Sequence, residues 1–152
     1  MAVTDRTLVV LLRLIGAAEL AALPFVFAPV GWMDALHGLL LGLGPLPRGP
    51  IVEYLARHLS ALYAVHGAVF LTLSLDLPRY RPLVRLLGWC HLALGFALAW
   101  TDGSVGFHWG WAVAEGTLVG TCGGLLLVLA RGGVSGRCQR HGPGTVGGGV
   151  KV

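Results

Sequence analysis

Four apolar segments of similar length constrain the fold of this chain more than any other feature of its sequence. They run over residues 7–29, 51–75, 82–101 and 109–130. A helix needs about 20 apolar residues to cross roughly 30 Å of hydrocarbon, and each segment reaches that length. Backbone groups in lipid must be satisfied within the structure, and no segment alternates with the period of a strand. The sequence therefore predicts an all-α integral membrane protein, a bundle of four transmembrane helices.

The composition agrees with lipid as the solvent of this domain. Of the 152 residues, 55% are hydrophobic and 12% are charged, whereas soluble domains carry about 25% charged residues. Too few polar side chains remain to cover a water-soluble globule. The net charge of +4 does not indicate nucleic-acid binding, because no run of Lys or Arg with interleaved aromatic residues occurs. The lipid bilayer is the predicted partner, and no nucleic acid is expected.

The connections between the segments define the organisation of the chain. Residues 32–44 are apolar but too short to span, so they predict a short interfacial or re-entrant helix between helices 1 and 2. The tight loops at 76–82 and 102–108 favour antiparallel neighbours. A transmembrane domain is thus predicted over residues 1–131, followed by a disordered, Gly-rich tail over 132–152.

The basic residues predict how the domain is oriented in the membrane. Cytoplasmic loops carry an excess of Lys and Arg. One side of the predicted bundle holds most of them, while the opposite side holds only Arg48 in a loop. The residues of the richer side are Arg6, Arg79, Arg81, Arg131, Arg137, Arg140 and Lys151. Both termini and the tail are therefore predicted to be cytoplasmic.

Ionisable residues inside the predicted spans suggest an intramembrane polar cluster. A helix rises 1.5 Å per residue, and this places Glu19, Arg57 and Glu115 at a similar depth in the outer half. Glu53 lies one turn before Arg57, where an ion pair can form, and His58 is adjacent. Such residues usually face the bundle interior and pair with one another. The predicted cluster is Glu19, Glu53, Arg57, His58 and Glu115.

Helix 4 carries a stripe of small residues that predicts close helix packing. Ala112, Gly116, Gly120 and Gly124 recur at every fourth position. Small residues at this spacing let two helix backbones approach closely in a membrane. The partner helix can belong to the same chain or to a second copy, so a homo-oligomer and a larger membrane complex both stay open.

The histidines within the spans predict no metal or cofactor site. His91 shares a face of helix 3 with Gly88 and Gly95 and is predicted to point inward, and His66 is predicted to bond to a neighbouring helix. Haem between them would need equal depth, but counting residues separates them by about 6 Å. No His/Glu pair occurs at i,i+3 or i,i+4 within a span. No P-loop, GxSxG or HExxH motif is present, so no enzyme is predicted.

The segment "LLRLIGA", residues 11–17, resembles the start of the first helix in DoxX-like proteins, which shows a similar Leu-Arg pattern followed by Gly. The layout of four spans over about 130 residues is also similar to that family. The resemblance implies four helices in a bacterial inner membrane. Some members are linked to quinol oxidation or thiosulfate metabolism, but no functional residue here matches, so these activities are not carried over.

Three functions follow as hypotheses. The first is a non-catalytic bundle or accessory subunit, supported by the glycine stripe and the absence of catalytic motifs. The second is a protein that handles protons or a small molecule in a polar pocket in the outer half of the bundle. The third is a redox subunit that binds haem or quinone.

Overall fold

The computed structural model describes residues 3–40, 42, 44–106 and 109–132, and within these residues the chain is helical and contains no strand. The prediction of an all-α protein is confirmed. A 3₁₀ turn at Leu23–Val26 follows the first helix, and a π-helical turn at Leu36–Leu40 follows the second. The helices are α1 (Val3–Leu20), α2 (Val30–Ala35), α3 (Pro50–Leu73), α4 (Leu77–Ser104) and α5 (Trp109–Arg131).

Three segments of the described chain are long and apolar enough to cross a membrane. They are Val3–Val26, Leu77–Ser104 and Trp109–Arg131, with mean hydropathies of 2.0, 1.5 and 1.7. Helix α3 has 24 residues and is long enough. Its hydropathy is lowered by Glu53, Arg57, His58 and His66, so length and composition alone do not mark it as a span.

The helices form two antiparallel pairs, α1 with α3 and α4 with α5, and these pairs also contact each other. Glycines make the close approach within each pair possible. A Cβ atom at Gly67 of α3 would lie 2.6 Å from the carbonyl oxygen of Gly16 in α1. A Cβ atom at Gly95 of α4 would lie 2.6 Å from the carbonyl oxygen of Gly116 in α5. Larger side chains at these positions would force the backbones apart. Small residues are therefore needed for the helices to pack this closely.

The buried apolar core lies toward the end of the molecule where α1 and α4 begin. It consists of side chains from α1, α3, α4 and α5, namely Leu8, Leu12, Phe70, Leu73, Leu77, Val84, Leu126 and Ala130. Polar contacts at the same end join the two helix pairs. Arg81 forms an ion pair with Asp5 at 2.6 Å, and both Arg81 and Arg85 donate hydrogen bonds to the carbonyl oxygen of Ala130.

Two helix boundaries differ from the predicted spans because of prolines. Helix α1 ends at Leu20, well before residue 29, and only a 3₁₀ turn follows, with Pro24 in its first turn. Helix α4 begins at Leu77, before residue 82, because Pro78 sits in its first turn, where the missing N–H costs nothing. The Asp76 side chain caps this helix by accepting from the Arg79 N–H at 3.3 Å. The predicted tight loop at 76–82 is therefore mostly helix.

The segment between α1 and α3 contains a short helix, α2, as the sequence predicts. Asp34 holds the following loop against this helix, since its carboxylate accepts from the Leu46 N–H at 2.7 Å and from Arg48 at 2.6 Å. His37 Nδ1 lies 2.8 Å from the Gly44 carbonyl oxygen. Gly44 has a φ of 79°, which a residue with a side chain rarely adopts. The predicted tail lies outside the described residues, apart from Gly132.

Candidate functional site

Three ionisable side chains from three different helices meet between the two helix pairs. Glu19 of α1, His66 of α3 and His91 of α4 each offer a ligand atom within 4.8 Å of the others. Glu19 Oε2 lies 2.9 Å from His66 Nδ1. The His66 and His91 rings are stacked, with centroids 5.2 Å apart and planes 15° from parallel. These three residues are called the Glu–His–His site below.

The sequence positions these side chains by placing glycines opposite them. A Cβ atom at Gly67 would lie 3.1 Å from the Cβ of Glu19, and one at Gly123 would lie 2.9 Å from the Cβ of His91. Glycine at these points therefore leaves room for Glu19 and His91 to enter the space between the helices. The ring of Phe70 packs edge-on against both imidazoles and forms an apolar wall of the site.

The hydrogen bonds around the site leave electron pairs directed into it. His91 is 7% exposed, and its Nδ1 lies 2.8 Å from the Leu87 carbonyl oxygen. A carbonyl oxygen only accepts, so this Nδ1 carries the proton and Nε2 keeps a lone pair. Glu19 Oε2 is buried and has no directed hydrogen bond among the described residues, since its short contact with His66 is an ion-pair contact of poor direction. The site thus combines a carboxylate with a basic ring nitrogen.

The arginines of the described chain do not neutralise this site. Glu19 contacts the His66 ring and forms an ion pair with no arginine in the described residues. The guanidinium of Arg13 bonds to Ser74, and that of Arg57 bonds to Glu53. The carboxylate of Glu19 is close enough to Tyr63 and Cys122 to interact with them electrostatically.

The five residues of the predicted cluster do not meet in one place. The i,i+4 pair between Glu53 and Arg57 is present, with a shortest contact of 2.8 Å. Arg57 then donates to the Val26 carbonyl oxygen at 2.7 Å, because the early end of α1 and the 3₁₀ turn bring that oxygen to it. Among the described residues, Arg57 forms no ion pair with Glu19 or Glu115.

The other two members of that cluster lie apart from the Glu–His–His site. His58 is exposed, and its ring centre lies 3.9 Å from that of Tyr54 with the planes tilted by 35°. Its Nδ1 lies 3.1 Å from the Tyr54 carbonyl oxygen of the same helix. Glu115 is close enough to Asp102 and Trp111 to interact with them electrostatically where α4 and α5 meet. Of the predicted residues, only Glu19 belongs to the Glu–His–His site.

The glycines of α5 pack in a register that differs from the predicted stripe. Gly116 and Gly123 face Gly95 and Gly88 of α4, whereas Cβ atoms at Gly120 and Gly124 would meet nothing within 4 Å. The side chain of Ala112, the first member of the stripe, lies outside the described part of the structure. The glycines whose Cβ positions face the other helix are seven residues apart on both helices, which is the spacing of a coiled-coil seam. The backbone of Gly120 also contacts α4, since a Cβ atom at Gly95 would lie 2.6 Å from the Gly120 nitrogen. The predicted stripe, with its spacing of four, includes Gly116 and Gly120, whose backbones contact α4, but it also includes Gly124 and omits Gly123.

The sequence predicts that His91 points inward and that His66 bonds to a neighbouring helix, but it does not predict that the two residues meet. The predicted depth difference of about 6 Å is counted along upright helices and does not include the reach of the side chains, and the two rings do meet. A signal for the site does exist in the sequence. Each of its residues lies within three positions of a contact glycine: Glu19 near Gly16, His66 beside Gly67, and His91 near Gly88.

Comparisons with protein-family models, with curated proteins and with solved structures find no match to this chain. The resemblance to DoxX-like proteins stays a prediction. The residues of the site are consequently the main indication of a function.

Proposed function

We propose that this chain is a four-span integral membrane protein that binds a small cation at the Glu–His–His site. The single observation that carries the proposal is the meeting of Glu19, His66 and His91 from three helices, with a buried carboxylate oxygen that no directed hydrogen bond satisfies. Ionisable residues within a membrane are costly, and they usually mark binding sites, ion paths or proton relays.

The exposed surface supports α3 as a fourth span beside the three helices of higher hydropathy. Leu55, Leu62 and Val69 of α3 are exposed, as are Phe96 and Trp100 of α4. Soluble proteins rarely expose contiguous apolar patches larger than a few hundred Å². The polar residues of α3 are either near its start, as Glu53 and Arg57 are, or turned toward α1, as His66 is. Lipid therefore suits the outer face of α3, and the resemblance to DoxX-like proteins favours a bacterial inner membrane.

The topology of the proposal places both termini in the cytoplasm and the loop around Leu46 outside. Alkaline-phosphatase fusions are expected to be active after Leu46 and inactive after Arg131, because that enzyme folds only outside the cytoplasm. Green fluorescent protein fusions at the same positions serve as the complementary control. An active phosphatase fusion after Arg131 would contradict the four-span arrangement.

The chemistry of the site favours a cation over an anion or an apolar ligand. A carboxylate and a ring nitrogen with a lone pair both attract positive charge. No Arg or Lys of the described chain contacts the site to hold an anion. The proton is the simplest cation of this class, and metal ions and small amines belong to it as well.

The other two hypotheses have less support in the geometry. The glycines that suggested self-association are used between α4 and α5 of the same chain, so they no longer require a second copy. Axial ligation of haem requires imidazole nitrogens that point at each other across the macrocycle. The rings of His66 and His91 instead lie face to face, 5.2 Å apart.

The proposal predicts that Glu19→Gln does not lower, and even raises, the unfolding temperature of the cation-free protein in detergent. A buried carboxylate without a directed hydrogen bond destabilises a fold, and glutamine removes its charge while keeping its shape. Glu53→Gln is the matched control. Its carboxylate accepts two hydrogen bonds from Arg57, so its loss is expected to lower stability slightly.

The second half of the test measures cation binding. Thermal unfolding of the wild type is followed with Na⁺, K⁺, methylammonium and divalent metal chlorides at constant ionic strength. A ligand that binds the folded state raises the unfolding temperature. At least one cation is expected to raise it in the wild type and not in Glu19→Gln. If no cation does so, and Glu19→Gln is strongly destabilised, the cluster is a packing contact and the proposal fails.

A further inference from the structure

We infer that the Glu–His–His site binds a divalent transition-metal ion of the Zn²⁺ class, held by the Glu19 carboxylate and by one ring nitrogen each of His66 and His91. This inference rests on the proposed function and specifies the cation. The metal would link α1, α3 and α4, whose side chains Glu19, His66 and His91 already meet here.

The donor set selects the class of metal. Two imidazoles and one carboxylate are the ligands of open zinc sites and of non-haem Fe(II) sites. Ca²⁺ and Mg²⁺ prefer oxygen donors alone, so a site with two imidazoles disfavours them. Three protein ligands leave a coordination position open, which is typical of sites where the ion exchanges or contacts a further ligand.

The spacing of the ligand atoms is close to what a metal needs. One ligand atom from each residue lies within 4.8 Å of those of the other two. A tetrahedral ion with bonds of about 2.0–2.1 Å holds its ligand atoms about 3.3 Å apart. Binding would also turn the two imidazoles out of their stacked arrangement, because the lone pair of a ring nitrogen lies in the plane of the ring and both nitrogens must point at the ion.

Two hydrogen-bonding features of the site also favour a metal ion, and neither depends on the spacing of the ligand atoms. His91 donates from Nδ1 to the Leu87 carbonyl oxygen at 2.8 Å, and metal-bound histidines typically donate their second ring nitrogen in this way. This bond fixes the tautomer of the neutral ring and leaves Nε2 as the nitrogen that can bind a metal. Glu19 Oε2 is buried without a directed hydrogen bond, so it is an anionic oxygen that a metal ion would satisfy.

A purely structural Glu–His pair would show a different geometry. Its histidine would aim an N–H at the carboxylate, and both oxygens would be satisfied, because buried polar groups are nearly always hydrogen-bonded. Here Oε2 approaches His66 Nδ1 to 2.9 Å without a directed hydrogen bond. A second histidine, His91, is stacked on the first and buried, and an ion pair alone gives no reason for it.

The experiment titrates the full-length, chelator-stripped protein in detergent with Co²⁺ and then displaces it with Zn²⁺. Tetrahedral Co²⁺ gives visible absorption bands that report its ligands, and calorimetry with Zn²⁺ gives the affinity. The wild type is expected to bind one equivalent. His66→Gln and His91→Gln are expected to bind at least about tenfold more weakly, since even the loss of supporting contacts costs 10- to 100-fold.

His58→Gln is the matched control, because His58 is on the same helix as His66 and also lies close to the carbonyl oxygen four residues earlier, but is exposed. Its affinity is expected to equal that of the wild type. Glu19→Gln keeps the shape of the side chain and is the second variant if a histidine variant fails to fold, again with at least tenfold weaker binding.

Two results would overturn the inference. One is the absence of saturable Co²⁺ or Zn²⁺ binding by the wild type. The other is unchanged affinity in Glu19→Gln and both site histidine variants, which would place the metal elsewhere in the chain. If another cation stabilises the wild type through Glu19 while these metals do not bind, the metal inference fails and the proposed function stands.

Discussion

Gly123→Leu is expected to lower the free energy of unfolding substantially, while Gly124→Leu leaves it nearly unchanged. A Cβ atom at Gly123 would lie 2.7 Å from the Gly88 carbonyl oxygen and 2.8 Å from the Leu92 nitrogen. Both are backbone atoms, which cannot move aside unless the helices separate. Inserting side-chain atoms into a packed interior costs about 1–3 kcal/mol, and a clash with backbone lies at or above the upper end of that range.

The two positions make a matched pair because they are adjacent on the same helix. A Cβ atom at Gly124 would meet nothing within 4 Å, so the intrinsic effect of replacing a helical glycine is common to both variants. Thermal unfolding in detergent, followed by circular dichroism, measures the difference. Gly116→Leu and Gly120→Leu repeat the comparison one turn or more toward the start of α5, with the loss expected at Gly116. Equal unfolding temperatures within both pairs would contradict the α4–α5 register.

The register of the glycines between α4 and α5 is a feature that the sequence alone does not predict. The abundance of small residues on α5 correctly indicates close helix packing, because only glycine lets two backbones meet. The sequence alone does not reveal that the seam follows a spacing of seven, since Gly116, Gly120, Gly123 and Gly124 fit either spacing. The choice depends on which positions of α4 lie opposite, and Gly88 and Gly95 are themselves seven residues apart.

The candidate site also has one contact that the sequence predicts and others that it does not. The Glu53–Arg57 pair is predictable because it lies within one helix turn, where geometry follows directly from the residue count. Glu19, His66 and His91 are separated by tens of residues, and their meeting depends on helix tilt and on the end of α1 at Leu20. Depths counted from the membrane surface contain errors of several ångströms from these sources, and hydrogen-bond and ligand distances are smaller than that error.

Arg81→Leu is expected to cause the second large loss of stability. The Arg81 side chain is 13% exposed and links three helices, through Asp5 of α1 at 2.6 Å and the Ala130 carbonyl oxygen of α5 at 3.3 Å. Breaking a fully buried ion pair by removing one partner costs about 3–5 kcal/mol. Because Asp5 is 21% exposed, the expected loss is somewhat smaller, roughly 2–3 kcal/mol.

Arg81→Lys separates the charge from the geometry of the guanidinium. An ammonium group can keep the attraction to Asp5, but it is a point charge on a flexible stem and cannot replace the planar fork that also reaches Ala130. An intermediate loss of stability is therefore expected. If Arg81→Lys is as stable as the wild type, the charge alone is sufficient and the link to α5 contributes nothing measurable.

Arg79→Leu is the control for both variants, since Arg79 lies two residues earlier and its exposed side chain lies over the Tyr80 ring, 5.5 Å from the ring centre. Its removal also takes one positive charge from the same end of the molecule, so it accounts for any general effect of charge on detergent binding or insertion. Exposed contacts of this kind contribute about 0.5–1 kcal/mol or less. Arg79→Leu should therefore unfold close to the wild-type temperature. If the Arg79 and Arg81 variants lose the same stability, the contacts of Arg81 with Asp5 and with the Ala130 carbonyl oxygen contribute nothing beyond the general effect of charge.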